Sequence, residues 1–479
     1  MQPGLGKSAL RAALHGNELP HVTPDGAVEV AAAISSAYSA RGSLASASRE
    51  RRMAVLAAVA SSLGREREAF AQLIMREVDK PIDLARAEVD RAICTFSDAA
   101  AVTATHEGRL VPLDTVPQGA GREALVRRVP IGVVAAITPF NFPLNLVAHK
   151  VAPGLASGCP VLLKPSPDAQ RTALALGDLI ADAAESCGLP TECLSVLAVT
   201  DDSLAAPLVE SDLIRGLSFT GSESVGWALR DRARGKSVAL ELGGDAFVVI
   251  GPDAPIRRAA ERVAIGAFSY AGQTCIAVQH VLVHASVREQ FEAELCAITR
   301  RVITGRPDQS GVLLGPVLRE RDADRLEAWL LESLRLGARV VAEGTIDASM
   351  VSGDKSQARR RVGRWLAPLV LTDVPINSNL GSSEAFGPYV DLASYEDVDG
   401  VVARLAQSRF GLQLGVFTSD LRTIRALYDQ VEVGAVVVGD IPTFRLDPMT
   451  YGGVKRSGLG REGARDAMDW YTEPRVLVW

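Results

Sequence analysis

The chain has 479 residues, 47% of them hydrophobic and 23% charged, and carries a net charge of −6 at neutral pH. That length supports two or three domains with large cores, and the interspersed acidic and basic residues form no basic stripe that would suit nucleic acid. No uninterrupted apolar run reaches the ~20 residues of a membrane span, and six cysteines without metal-ligand spacing or disulfide-scaffold density predict a reducing, cytoplasmic setting with no metal site.

In chain order, Gly6-Lys7-Ser8 has the ending of a P-loop, but the earlier glycine would fall on Met1, so this stretch reads as a flexible terminus. From Val28 to about Ala104, Ala, Leu, Glu and Arg recur at helical spacing. Val133 to Ile137 and Val161 to Leu163 are short apolar runs of the kind that form buried strands. A helix over Thr172 to Cys187 is closed by Gly188 and Pro190, and the strand Leu194 to Ala198 follows. Leu213 to Phe219, Ser237 to Leu240 and Phe247 to Ile250 continue an alternation that predicts a parallel α/β sheet, with ligand-binding loops after its strands.

After Gly251-Pro252-Asp253 a second cycle begins. The spacing predicts a helix over Ile256 to Tyr270 that delivers Cys275 to the start of a strand-like run ending at Val283. Further strands are expected at Arg339 to Ala342, Leu369 to Leu371, Val416 to Phe417 and Ala435 to Val438, giving a second α/β domain across a cleft from the first. Thr345 to Arg364, with Arg359-Arg360-Arg361, reads as a long solvated loop without chemistry.

Cys275, in Gly272-Gln273-Thr274-Cys275, lies 34 positions beyond Glu241 in Glu241-Leu242-Gly243-Gly244. A cysteine is more often an inert buried side chain, and a Glu before Gly-Gly a mere turn. Together they suit covalent catalysis: a thiolate adds to an aldehyde carbon, hydride leaves toward a nicotinamide, and a carboxylate activates water to cleave the thioester. The oxyanion requires positioned donors, for which the Asn141 amide, in Thr138-Pro139-Phe140-Asn141-Phe142-Pro143, and the N–H of Cys275 are the choice.

With Lys164-Pro165-Ser166, Phe219-Thr220-Gly221-Ser222 and Gly226, Glu384-Ala385-Phe386-Gly387-Pro388 and Tyr451 to Gly458 added in order, nearly the whole chain resembles the aldehyde dehydrogenase superfamily. The resemblance implies Cys275 as nucleophile, Glu241 as general base, Asn141 as oxyanion donor and Lys150 as proton-relay partner. It implies NAD or NADP as cofactor, held by Thr138, Pro139, Phe140, Lys164, Ser166, Gly221, Ser222, Val225, Leu242, Glu384 and Phe386. Phe142, His149, Thr274, Ile276 and Arg445 would line the substrate tunnel. It divides the chain into a cofactor domain (1–110 and 131–245), a catalytic domain (246–445) and bridging segments (111–130 and 446–479) that pair subunits into a homodimer or homotetramer. The apolar ending Val476-Leu477-Val478-Trp479 supports such pairing.

Pro167 stands where NAD-preferring relatives often carry a glutamate, which leaves NADP admissible, with Arg171 or the stretch Arg230 to Arg234 as potential partners of a 2′-phosphate. His149 replaces an aromatic residue common in relatives, and with Arg445 it points to a small aldehyde with a polar or anionic tail, as in relatives acting on lactaldehyde, succinate semialdehyde, glyceraldehyde phosphate or phosphonoacetaldehyde. Thr274, where an arginine would favour phosphate, argues against phosphorylated substrates. A coenzyme A-acylating enzyme would commonly lack Glu241, and an idle scaffold would not need Cys275, Glu241 and Asn141 together.

Overall fold

The computed structural model of the chain describes residues 19–106, 108–347 and 360–479, with residues 16 and 349. Gly6 to Ser8 and most of the 345–364 loop lie outside the described residues. Four helices open the fold: α1 (Ala27–Ser46), α2 (Arg49–Arg65), α3 (Arg67–Val78) and α4 (Ile82–Thr105). Ser48 caps α2 by accepting from the Arg51 N–H, and α3 ends where Asp79 turns left-handed at φ 52°. Leu56, Leu63, Phe70 and Phe96 from these helices pack with α5 (Asn145–Ser157) and α6 (Gln170–Ser186) into one large core.

The first sheet contains β3 (Val133–Thr138), β4 (Val161–Pro165), β5 (Leu194–Val196), β6 (Ile214–Thr220) and β7 (Ser237–Glu241), all parallel, in the order β7-β6-β3-β4-β5. Its strands read as continuous apolar runs because helices cover both faces. The second sheet holds β8 (Phe247–Ile250), β9 (His280–His284), β10 (Arg339–Glu343), β11 (Leu369–Thr372), β12 (Tyr389–Tyr395), β13 (Gln413–Phe417) and β14 (Ala435–Val438), in the order β10-β11-β12-β9-β8-β13-β14. Only β10 runs antiparallel there. Helices α7 (Glu223–Arg232) and α8 (Ile256–Phe268) follow β6 and β8, and α9 (Arg288–Thr299) and α10 (Glu320–Arg335) complete the layers used below.

The 446–479 stretch divides in the structure. β15 (Gly458–Leu459) runs antiparallel to β7 as the sixth strand of the first sheet, and α11 (Ala464–Trp470) packs against α4 and α5. Only β16 (Thr472–Val478) joins β1 (Arg109–Pro112) and β2 (Glu123–Pro130) in a separate antiparallel sheet. The basic run is not simply solvated: Arg361 pairs with Glu320, Asp324 and Glu327 of α10, and Arg360 pairs with Glu343. Among the described residues no helix is long and apolar enough to cross a membrane.

One buried ion pair fixes the loop between β3 and α5. Lys80 donates to Glu88 Oε2 at 2.5 Å and to the Asn141 carbonyl at 2.8 Å, with its ammonium 3.5 Å from the Phe142 ring centre. Glu88 Oε1 accepts from the N–H groups of Leu144 and Asn145, at 2.9 and 3.1 Å. Both side chains are at most 1% exposed, so neither charge has water as an alternative partner. Lys80→Met, which strands the Glu88 carboxylate, is expected to cost about 3–5 kcal/mol by urea denaturation. Lys80→Met with Glu88→Gln removes the charge while keeping the acceptor, and most of that loss should return. A double variant no more stable than Lys80→Met alone would mean that packing, not charge, had been lost.

Candidate active site

The strand ends of the first sheet bring Thr138, Lys164, Thr220 and Glu241 to one edge, because parallel strands all finish on the same side. Cys275 reaches that edge from the second half of the chain. It lies in a turn, and β9 does not begin until His280, so the expected strand at Cys275 is corrected. The apolar run Ile276-Ala277-Val278 that suggested a strand packs as irregular chain instead, with Ile276 against Leu412 and Tyr451.

The preceding helix also stops earlier than expected, at Phe268, and Tyr270, Ala271 and Gly272 follow with φ of 52°, 56° and 68°. Only a residue without Cβ fits at Gly272, since that atom would fall 2.2 Å from the Gly387 carbonyl oxygen. The conformation is held by outside anchors. Tyr270 donates its hydroxyl to the Val78 carbonyl at 2.9 Å, and Gln273 Oε1 accepts from the Leu318 N–H at 2.9 Å. The Cys275 loop is thus tied to the end of α3 and to the chain just before α10.

Cys275 is half-buried, and its Sγ lies 3.2 Å from the Tyr451 hydroxyl. Burial pushes the thiol up to about 11, against the Tyr451 hydrogen bond. The Asn141 amide donates one N–H to the Gln273 carbonyl at 3.0 Å, which fixes the amide plane and leaves its second N–H free for an oxyanion.

Glu241 is buried, and its Oε2 has no partner. Desolvation, reinforced by the neighbouring Glu462 charge, raises its carboxyl well above the usual range. Glu462 goes the other way, held down to about 2 by Lys150 and Arg445 against burial. Lys150 donates to Glu462 Oε1 at 3.1 Å and to Ser218 Oγ at 2.9 Å, so it acts on Glu241 through space rather than through a direct bond. Arg445 donates to Glu462 Oε2 at 3.1 Å and stacks 3.6 Å above the Tyr451 ring. With a side chain only 6% exposed it is not a surface salt bridge, and its Nε is unpartnered. His149 Nε2 lies 3.0 Å from Asp447 Oδ1 and 3.2 Å from Arg445 Nη2, while Arg91 holds the same Asp447 oxygen at 2.8 Å. Burial lowers the imidazole pKa, which keeps His149 neutral.

The expected cofactor residues flank this cluster. Lys164 is buried but paired only with Asp202, a fully wetted carboxylate 3.2 Å away that can release it cheaply. Thr138 and Thr220 each present a buried hydroxyl without a partner. Glu384 is pushed up to about 8 by burial and accepts from the Gly244 N–H at 3.3 Å, and a Cβ at Gly243 would strike its carboxylate at 2.2 Å. Gly221 and Ser222 open α7, and Phe140 meets Phe386 edge-on at 6.2 Å. These orphaned hydroxyls and glycine-cleared approaches suit a polar dinucleotide.

The remaining expected residues have these surroundings. The Leu242 side chain is spent in a core with Phe219 and Leu240, and Val225 is exposed on α7. Arg171 is turned to the Pro20 carbonyl and Glu77, and Arg232 to Glu210, so neither stands ready for a 2′-phosphate at Ser166 or Pro167. Phe142 lies under Lys80, while Thr274 is half-buried beside Cys275. Tyr451, Glu462, Asp447 and Arg91 were missed as site residues. Tyr451 sat in a motif already noted, but nothing local marks the other three.

Residues 7–477 match the family described as "Aldehyde dehydrogenase family". The chain is 36% identical over 427 residues to the 3-sulfolactaldehyde dehydrogenase of Priestia aryabhattai, covering 89% of this chain and 86% of that protein. Among solved structures it is similar to aldehyde dehydrogenase 21 from Physcomitrella patens in complex with the reaction product succinate, with TM-score 0.90 and 35% identity over 97% of this chain and 93% of that one. A glyceraldehyde-3-phosphate dehydrogenase from Methanocaldococcus jannaschii complexed with NADP gives TM-score 0.88 and 29% identity over 96% of each chain.

The raised Cys275 thiol makes a pH prediction. In the free protein, alkylation of Cys275 by iodoacetamide should climb about tenfold per pH unit from pH 7 to pH 10, because the thiolate fraction does so below its pKa. Tyr451→Phe removes the hydrogen-bond donor and should slow it at every pH. A plateau below about pH 9 would mean that the folded site stabilises the thiolate.

Proposed function

The chain belongs to the aldehyde dehydrogenase family, and from that premise we propose that this NAD(P)-dependent enzyme oxidises a small aldehyde with an anionic tail to its carboxylic acid through a Cys275 thioester. The observation that carries the substrate class is Arg445, a buried guanidinium with a free Nε–H, stacked on the tyrosine that touches the nucleophile. Lys150 and Arg445 both face Glu462, while burial and the Glu462 charge push Glu241 toward its neutral form, so the pocket favours an anion. The named relatives support the same class, since sulfolactaldehyde, succinate and glyceraldehyde 3-phosphate all carry an anionic tail. Thr274 beside the cysteine leaves room for a carboxylate or sulfonate without a second cation.

Cys275 gives its thiol proton to solvent water, and its sulfur bonds the aldehyde carbon as the C=O π pair moves onto oxygen. The free Asn141 N–H and the Cys275 backbone N–H, which has no acceptor among the described residues, receive the oxyanion. The hydride leaving that carbon would pass to bound NAD(P), the oxidant of the reaction. Lys164, Ser166, Gly221, Ser222 and Glu384 would hold it. Glu241, once ionised, takes a proton from water, whose oxygen attacks the thioester carbon as the C–S bond breaks. Lys150 keeps Glu462 ionised, and that charge makes Glu241 a stronger base. In this reading 1–110 with 131–245 carries the cofactor and 246–445 the nucleophile. The β1-β2-β16 sheet, whose Val476, Leu477 and Trp479 are exposed, pairs subunits into a dimer or tetramer.

Cys275→Ala should abolish NAD(P)H formation while leaving cofactor binding intact. Arg445→Gln should raise KM for carboxylate- or sulfonate-tailed aldehydes about 10- to 100-fold, the worth of a charge-assisted hydrogen bond, and barely move plain alkyl aldehydes. Equal losses on both tails would reject the role given to Arg445.

A further inference from the structure

Away from the active-site edge, a cavity of about 400 Å³ opens between α2, the ends of α4 and α5, and the β1-β2 hairpin. Five arginines line it, Arg49, Arg52, Arg109, Arg127 and Arg128, together with His106, and no carboxylate does so among the described residues. The acidic group that comes near is Asp469, which is largely exposed and lies 2.9 Å from His106 and 3.6 Å from Arg128.

The arginines are held mainly by backbone carbonyls, which satisfy N–H groups without cancelling charge. Arg49 donates to the His106 carbonyl at 2.6 Å, Arg52 to that of Ala156 at 2.9 Å, and Arg128 to that of Thr472 at 2.9 Å. The side chains of Arg109 and Arg127, both exposed, have no hydrogen bond or ion pair among the described residues, their backbones being paired in the sheet. Two donors deeper in the wall are orphaned: Arg52 Nε, and the hydroxyl of Ser157, a residue only 2% exposed. Burial and the neighbouring Arg49 charge both work against the Arg52 guanidinium. A folded chain that collects like charges around unfilled donors carries a cost that an anion would remove. Leu110, Leu125 and Met468 add apolar surface to the wall, which also holds Thr103 and Thr472.

We propose that this cavity is a second ligand site, distinct from the catalytic one, which takes a small organic phosphate. Its phosphoryl group would lie among the Arg49, Arg52, Arg109 and Arg127 guanidinium groups, and its carbon skeleton against Leu110, Leu125 and Met468. The volume falls in the range of small-molecule pockets, about 300–1,000 Å³, larger than an inorganic ion needs. Guanidinium forks match phosphate oxygens in pairs, which favours a phosphate over a simple carboxylate.

The test is calorimetry and thermal melting of the assembled enzyme with its cofactor site saturated by NADP, so that added phosphate cannot report from there. The probes are a sugar monophosphate, inorganic phosphate and the unphosphorylated sugar at matched ionic strength. The proposal expects saturable heat and a raised melting temperature with the sugar phosphate, none with the neutral sugar, and weakening as salt rises. Arg109→Gln with Arg127→Gln changes two exposed side chains outside the catalytic machinery, and should keep turnover while weakening binding at least about tenfold. Inorganic phosphate binding as tightly as the sugar phosphate would identify the free ion as ligand and overturn the organic assignment. No saturable heat with either phosphate, or unchanged binding in the double variant, would overturn the site altogether.

Discussion

Four ionisable side chains from three distant parts of the chain, Lys150, Glu241, and Arg445 with Glu462, share one buried volume beside Cys275. Burying charges is costly unless each finds a partner, and here the partners suffice for only one of the two carboxylates. Glu462 takes both cations and stays ionised. Glu241, left with an unpartnered oxygen and a like charge nearby, is pushed toward its neutral form. The positions of β7, β15, α5 and the loop carrying Arg445 are all constrained by that division, because a shift in any one would strand a charge in a dry place.

The Lys80–Glu88 pair does for geometry what this cluster does for charge. It clamps the Asn141 loop to the helical layer, while Tyr270 ties the nucleophile turn to the end of α3. Asn141 and Cys275 therefore approach each other as parts of two anchored segments, joined directly by the Asn141–Gln273 hydrogen bond. An oxyanion site needs this kind of fixity, since donors that must reorganise during the reaction lose much of their effect.

The legibility of the fold followed how local its causes are. Strands such as Val133–Thr138 and Val161–Pro165 are covered on both sides, so their apolar runs announced them, and Gly188 with Pro190 marked the end of α6 within a residue or two. The run after Cys275 misled because burial, not strand geometry, explains its apolar residues. The roles proposed for Cys275, Glu241 and Asn141 rest on motif and chemistry, and the fold brings Asn141 against the Cys275 turn. Arg445 was legible as a charge, but its burial was not, because Glu462 and Tyr451 supply it. Glu462, Asp447 and Arg91 have no local signature, as each matters only through a contact with a residue far away in sequence. Asp447 meets Arg91 and His149 from 356 and 298 positions away. Arg171 shows the converse error, a suitable charge at a suitable place in sequence whose side chain is committed elsewhere.

The last strand of the first sheet, Gly458–Leu459, and the carboxylate that sorts the site's charges both come from the end of the chain. During synthesis the ribosome releases β3, β4, β6, β7 and the nucleophile long before it releases Tyr451 and Glu462. A nascent chain can thus assemble most of the first sheet while Cys275 lacks its hydroxyl neighbour and Lys150 and Arg445 lack their shared anion. Until then the β7 edge is uncovered and open to mispairing, so the same late segment that supplies Glu462 also covers the Leu240–Glu241 end of that edge.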